Sequence, residues 1–145
     1  MSSEKTTFIR RYSLITVAVA AVLALMVVLR WKAENRIDST EDRIAYLSEL
    51  GWVCDPDSEQ CREICLPESF GRVLSDYNEL QLADGFDLSR YAGKTCTQYI
   101  YTLENHAGSI TVYAVLYIYH DRVIGGDIHT AVLDGYMHGL KSGRG

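Results

Sequence analysis

Four histidines, His106, His120, His129 and His138, lie in the last third of this 145-residue chain. Gly125, Asp127 and His129 alternate within one extended run, so all three fall on the same face of a strand. An Asp–His pair can orient and hold the general base of a nucleophilic set, with Ser109 as the imaginable nucleophile. No G-x-S-x-G elbow supports that reading. Asp134 and His138 are four apart, but the H-E-x-x-H pattern of a zinc hydrolase is absent. Gly125-Gly126-Asp127 sits inside a predicted strand rather than in a strand-to-helix loop, so it is no phosphate cradle. Paired glycines there mark a bulge or a close backbone contact. The chemistry that remains is recognition. Tyr113, Tyr117 and Tyr119 share the face of Asp127 and His129, and Tyr99 and Tyr101 are expected to join them from the neighbouring strand. Such a surface suits stacking on sugar rings or anchoring a partner, although Tyr and Thr also favour strands for packing alone. No residue is assigned a catalytic role, a metal or a cofactor.

The cysteines offer a second kind of chemistry. Cys54, Cys61, Cys65 and Cys96 make an even count in one small domain, which reads as two disulfides if the domain faces an oxidising compartment. Three pairings exist. A hairpin turning at Asp57 and Ser58 places Cys54 opposite Cys61 and leaves Cys65 to reach Cys96. Zinc is the rival, since Cys61-x3-Cys65 has tolerable ligand spacing, but no paired C-x2-C knuckle occurs.

The elements that must position these residues follow from hydrophobic period and punctuation. Ser39–Leu50 reads as a helix capped by Ser39 or Thr40 and closed by Gly51. Gly51–Asp55 and Gln60–Leu66 read as a hairpin around a Pro-Asp-Ser turn. Pro67 opens a second helix running to about Leu82, whose apolar face is Phe70, Val73, Leu74, Tyr77 and Leu80. Thr95–Leu103, Ser109–Tyr119 and Val123–Thr130 read as antiparallel strands, joined in the second case by a tight turn at His120–Arg122. In the middle strand Ile110, Val112, Ala114, Leu116 and Ile118 form one face, and Thr111, Tyr113, Val115, Tyr117 and Tyr119 the other. The apolar face is expected to cover the Phe70–Leu80 helix, giving an α+β domain of two layers. Leu133–Leu140 is expected to form a turn or short helix.

Ahead of this domain, Tyr12–Leu29 holds eighteen residues without charge, Gly or Pro. As a helix it reaches roughly 27 Å, close to the ~30 Å core of a bilayer. A single transmembrane helix is the expectation, dividing the chain into a tail (1–11), the span (12–31), a linker (32–39), a domain (40–140) and a flexible end (141–145). Three basic residues flank the span on each side, so the longer flank sets the direction: N-terminus cytoplasmic, domain extracellular at the plasma membrane. Thr16, Ala20 and Ala24 line one helix face on which a homodimer can pack.

Between Thr40 and Leu140 there are six Lys/Arg against sixteen Asp/Glu, a net of −10, whereas the whole chain carries −5. That surface repels phosphate backbones, which argues against nucleic acid. Basic peptides, cations and neutral glycans are compatible with it.

The stretches YLSELGW, YNELQ…GFDLSRYAGK, VIGGDI and LDGYMHGL resemble domain-of-unknown-function family 4830, over about Ile44 to Leu140. The resemblance implies a small membrane-anchored protein of clostridia-type Gram-positive bacteria with one α+β domain, and it implies no activity. The function expected, from the tyrosine-rich sheet face, is a binding or interaction module at the cell surface for a peptide, a glycan or another membrane or surface protein. A structural or accessory subunit is the alternative, with an enzyme a distant third.

Overall fold

The computed structural model describes residues 17–27, 36–105, 110–132 and 134–141. The chain divides into two compact units, Met1–Arg36 and Ile37–Gly145. In the first, residues 17–27 form helix α1. Eleven residues reach about 16 Å, roughly half of a bilayer's hydrocarbon core. Among the described residues no helix is long and apolar enough to cross a membrane, which corrects the expected transmembrane helix over 12–31. The remainder of that stretch lies outside the described residues, as do the 1–11 tail and Thr16 of the expected packing face.

The second unit is built on a five-stranded antiparallel sheet in sequential order: β1 Gln60–Cys65, β2 Thr95–Thr102, β3 Val112–Tyr119, β4 Arg122–Thr130 and β5 Met137–Gly139. Two helices accompany it, α2 Thr40–Glu49 and α3 Arg72–Ala83. Helix α2 starts where the sequence places it. Ser39 Oγ accepts from the Asp42 N–H at 3.1 Å while Asp42 accepts from the Ser39 N–H at 3.1 Å, a reciprocal capping box. Gly51, at φ 89°, takes the left-handed position after its C-terminus. The β3–β4 connection is as tight as expected: Tyr119 pairs with Arg122, and His120 and Asp121 both adopt positive φ, as a type I′ turn requires.

Strand parity sends two sets of side chains to opposite faces, and the helices divide them. Val112, Ala114, Leu116 and Ile118 pack with Leu47 of α2, Tyr101, Leu103, Ile128 and Leu140. Tyr117 and Tyr119 pack instead with Leu66, Leu88, Cys96, Ile124 and Tyr77 of α3. The expected assignment is thus reversed: the apolar face meets α2, and the tyrosine face meets α3. A sheet covered on both sides is a three-layer arrangement, not the two layers expected.

Helix α3 also differs from the amphipathic helix read in the sequence. It begins at Arg72, five residues after Pro67, and is rolled so that its buried residues are Asn78 and Gln81. Val73 is 84 % exposed. The cause lies in β4. Gly125 and Gly126 offer no side chains to pack, and a bulge at Ile124 shifts the β3–β4 register there. Gln81 reaches this bare strand with its amide, donating to Gly126 O at 3.0 Å and accepting from the Gly126 N–H at 2.8 Å. A Cβ at Gly125 would lie 2.8 Å from Gln81 Oε1, and one at Gly126 would collide with the Val115 carbonyl. The glycine pair therefore marks both a bulge and a close approach. Farther on, Leu133–Leu140 supplies β5, a strand where a turn or helix was expected; Asp84 accepts from the Lys141 N–H at 2.8 Å and ties that end to α3's C-terminus.

The expected Gly51–Asp55/Gln60–Leu66 hairpin does not form. Pro56–Ser58 makes a single 3-10 turn, Cys54 bridges to Leu103, and Cys61 pairs with Tyr99. Those partners are four positions apart in sequence, about 13 Å along an extended chain, so Cys54 and Cys61 cannot bond. Cys65 pairs with Thr95 while Cys96 pairs with Ile64, which turns the two thiols to opposite faces. All four cysteines are free, correcting both expected disulfides.

Two measurements check this packing. Gln81→Leu keeps the volume but strands a buried N–H and C=O on Gly126, so the urea midpoint should fall by an equivalent of about 2–4 kcal/mol; a change within about 0.5 kcal/mol would contradict the anchor. Without reductant, a maleimide should modify exposed Cys61 and Cys65 in the native chain and all four cysteines after unfolding. Cys54, buried and pushed up to about 12, should react only on unfolding.

Candidate functional site

Helix α3 sets the geometry of the site. Its second half is drawn onto β4 by Gln81, while its first half stands off the sheet. Between that half and the tyrosine face runs a groove of about 740 Å³. Ile64, Leu66 and Pro67 form one bank, Val73, Leu74 and Leu80 the other, and Tyr117 lies on the floor. Leu88 and Met137 complete the wall, and Met137 is 52 % exposed.

A polar chain runs beneath this apolar lining. Tyr77 donates to Asp127 Oδ2 at 2.5 Å, and Asp127 Oδ1 lies 2.6 Å from His129 Nδ1. Toward the other edge, Gln98 Nε2 donates to the Tyr117 hydroxyl at 3.0 Å and Gln98 Oε1 accepts from Arg62 Nε at 2.5 Å. Burial, and next the Asp127 carboxylate, push the Tyr77 phenol well above its ordinary value, so it remains a donor. Burial likewise raises Tyr117. For His129 the hydrogen bond to Asp127 raises the imidazole above 6.5, with burial opposing. Asp127 is buried and accepts from both neighbours, which fixes α3 against the sheet at the groove's floor.

The seven candidate binding residues do not share one surface. Tyr113, Tyr117, Tyr119, Asp127 and His129 lie on the α3 face, with the Tyr113 ring 5.8 Å from His129 and the Tyr119 ring 5.4 Å from Tyr91. Tyr99 pairs with Leu116 and Tyr101 with Ala114, so both belong to the α2 face. Tyr101 is fully buried; its hydroxyl accepts from Arg43 Nε at 2.7 Å and donates to Glu59. Arg43 is also paired with Glu59 at 3.0 Å and lies 3.7 Å above the Tyr99 ring. These two tyrosines hold the 3-10 turn against α2 rather than present a surface. The open tyrosine face expected from the sequence is split by register and partly covered by α3.

The Asp127–His129 pair has the orienting geometry of a catalytic dyad, but His129 Nε2 makes no hydrogen bond to any described residue, and Ser109 lies outside the described residues. The arrangement offers an apolar groove laid over a buried polar chain. One of its apolar banks, Val73, Leu74 and Leu80, was visible in the sequence as part of the Phe70–Leu80 stripe, but periodicity reports an apolar face without saying what covers it.

The model of the family described as Domain of unknown function (DUF4830) matches residues 46–128, more than half of the chain and a range containing β1, α3 and most of the sheet. No curated protein and no solved structure matches the chain.

Since His129 is raised in the folded state, its protonation contributes stability in full below 6.5 and that contribution is lost as pH climbs through the raised value. An NMR titration of the imidazole should give a midpoint above 6.5, and Asp127→Asn should lower it. A wild-type midpoint below 6.5 would show that the pair is not formed.

Proposed function

The chain belongs to the DUF4830 family, and from the groove beside α3 we propose that it is a binding module for ligands with an extended apolar segment. The groove carries this reading. Its volume lies within the range of about 300–1,000 Å³ that ligand sites occupy, and its banks are aliphatic while Tyr77 and Tyr117 line it, the Tyr77 hydroxyl held from beneath by buried Asp127. Val73 and Met137 leave large apolar side chains in water, at a cost that binding would relieve. The ligand is held through burial and oriented by few polar groups, with no bond made or broken.

Nile red, a neutral apolar dye, provides the test. Apolar residues elsewhere, including α1, also take up dye, so the informative quantity is the component that depends on the groove. Val73→Asp alters an exposed position and should leave the thermal midpoint unchanged while weakening that component by about tenfold. Equal uptake by wild type, Val73→Asp and Leu80→Gln would refute the site.

A further inference from the structure

We infer that the groove receives an extended segment of another protein, which adds to the sheet along β1 and alternates apolar with basic residues. This rests on the groove reading above and specifies how the ligand is held and what it is made of.

Strand β1 is an edge: it pairs with β2 alone. The Leu66 N–H donates to Lys94 O and Leu66 O accepts from the Gly93 N–H, both at 2.9 Å, so Leu66 turns its backbone toward the β2 side. Backbone groups alternate along an antiparallel ladder. Ile64, Arg62 and Gln60 therefore face β2 as Leu66 does, and Cys61, Glu63 and Cys65 point their N–H and C=O groups outward. Every side chain of β1 except Ile64 is exposed, and the strand holds no Pro. Such an edge is a template for one more strand.

The two faces of that added strand meet different chemistry. On the α3 face it lies beside Ile64 and opens into the groove between Leu66 and Leu74, so alternate residues are apolar. On the opposite face it lies beside Glu63, which has no ion-pair partner among the described residues and pairs across β2 with Thr97. A basic side chain directly opposite Glu63 is favoured as a cross-strand pair. The domain's net charge of −10 between Thr40 and Leu140 draws the same kind of segment.

A second copy of this chain fits less well. Antiparallel pairing of β1 with itself about a two-fold axis must keep matching faces together. The two most central registers then set Glu63 against Glu63, or Arg62 against Arg62. Like charges directly opposite are destabilising.

The test uses the full chain and the peptide acetyl-Lys-Val-Lys-Val-Lys-Val-Lys-amide, with a dansyl label for fluorescence titration. It should bind saturably with a Kd of about 1 mM or tighter. Glu63→Pro removes one outward N–H at an edge position where proline is tolerated, so it should weaken the peptide by about tenfold or more while Nile red uptake is unchanged. Should that variant fold poorly, Glu63→Lys leaves the backbone intact and should also weaken the peptide, most at low salt. Peptides N-methylated on alternate residues give an independent arm, because one set should lose binding and the other retain it. No saturable binding up to about 1 mM, or equal binding by wild type and both Glu63 variants, overturns the inference. A chain that shows Val73-dependent dye uptake but not the peptide keeps the groove and loses strand addition. One that takes neither loses both.

Discussion

The two hydrogen bonds between the Gln81 side chain and the Gly126 backbone set the position of everything on the α3 face. A helix usually meets a sheet through apolar side chains that interlock. Here β4 presents two glycines, so the helix approaches closely and satisfies a buried backbone pair with an amide. Each such bond adds only about 1 kcal/mol net, yet leaving either backbone group unpaired costs about 1–3 kcal/mol. The contact is therefore a matter of placement more than of strength. It fixes the roll of α3, and with it the Tyr77–Asp127 bond and the exposure of Val73.

Because α3 is held by polar groups, the unit's apolar burial is concentrated on the other side. Leu47, Tyr101, Leu116, Ile128 and Leu140 are all fully buried there. Each such side chain contributes about 1.5–3 kcal/mol. Arg43 and Glu59 are committed to that side as well, where losing one partner of a largely buried ion pair costs about 3–5 kcal/mol. With stability supplied by the α2 face, the α3 face can leave a groove unfilled. The division explains why one sheet carries both a closed core and an open apolar site.

Local signals in the sequence were legible. Ser39 and Asp42 announce the start of α2, alternation separates the two faces of β3, and the Gly125–Gly126 pair points to a bulge and a close contact. Relations between elements were not. A slip of one residue between β2 and β3 decides whether Tyr99 and Tyr101 join Tyr113 or oppose it, and nothing in either strand fixes that register. The roll of α3 was hidden because its apolar stripe suggests burial, whereas Asn78 and Gln81 are the residues that meet partners. The cysteine pairings failed for the same reason as the tyrosine surface: both depended on which strand lies beside which. The docking of the chain just after β5 likewise involves Asp84, over fifty residues from the Lys141 N–H it accepts.

The most direct measurement of this account is paramagnetic relaxation by a neutral, water-soluble gadolinium chelate, read on assigned side-chain resonances of the full chain. Strong relaxation is expected at the Val73 methyls, intermediate relaxation at those of Leu74 and Leu80, and none above background at the Gln81 amide or the Leu47 methyls. Shielded methyls on Leu74 and Leu80 together with a relaxed Gln81 amide would mean that α3 packs by its apolar stripe, and that no groove exists.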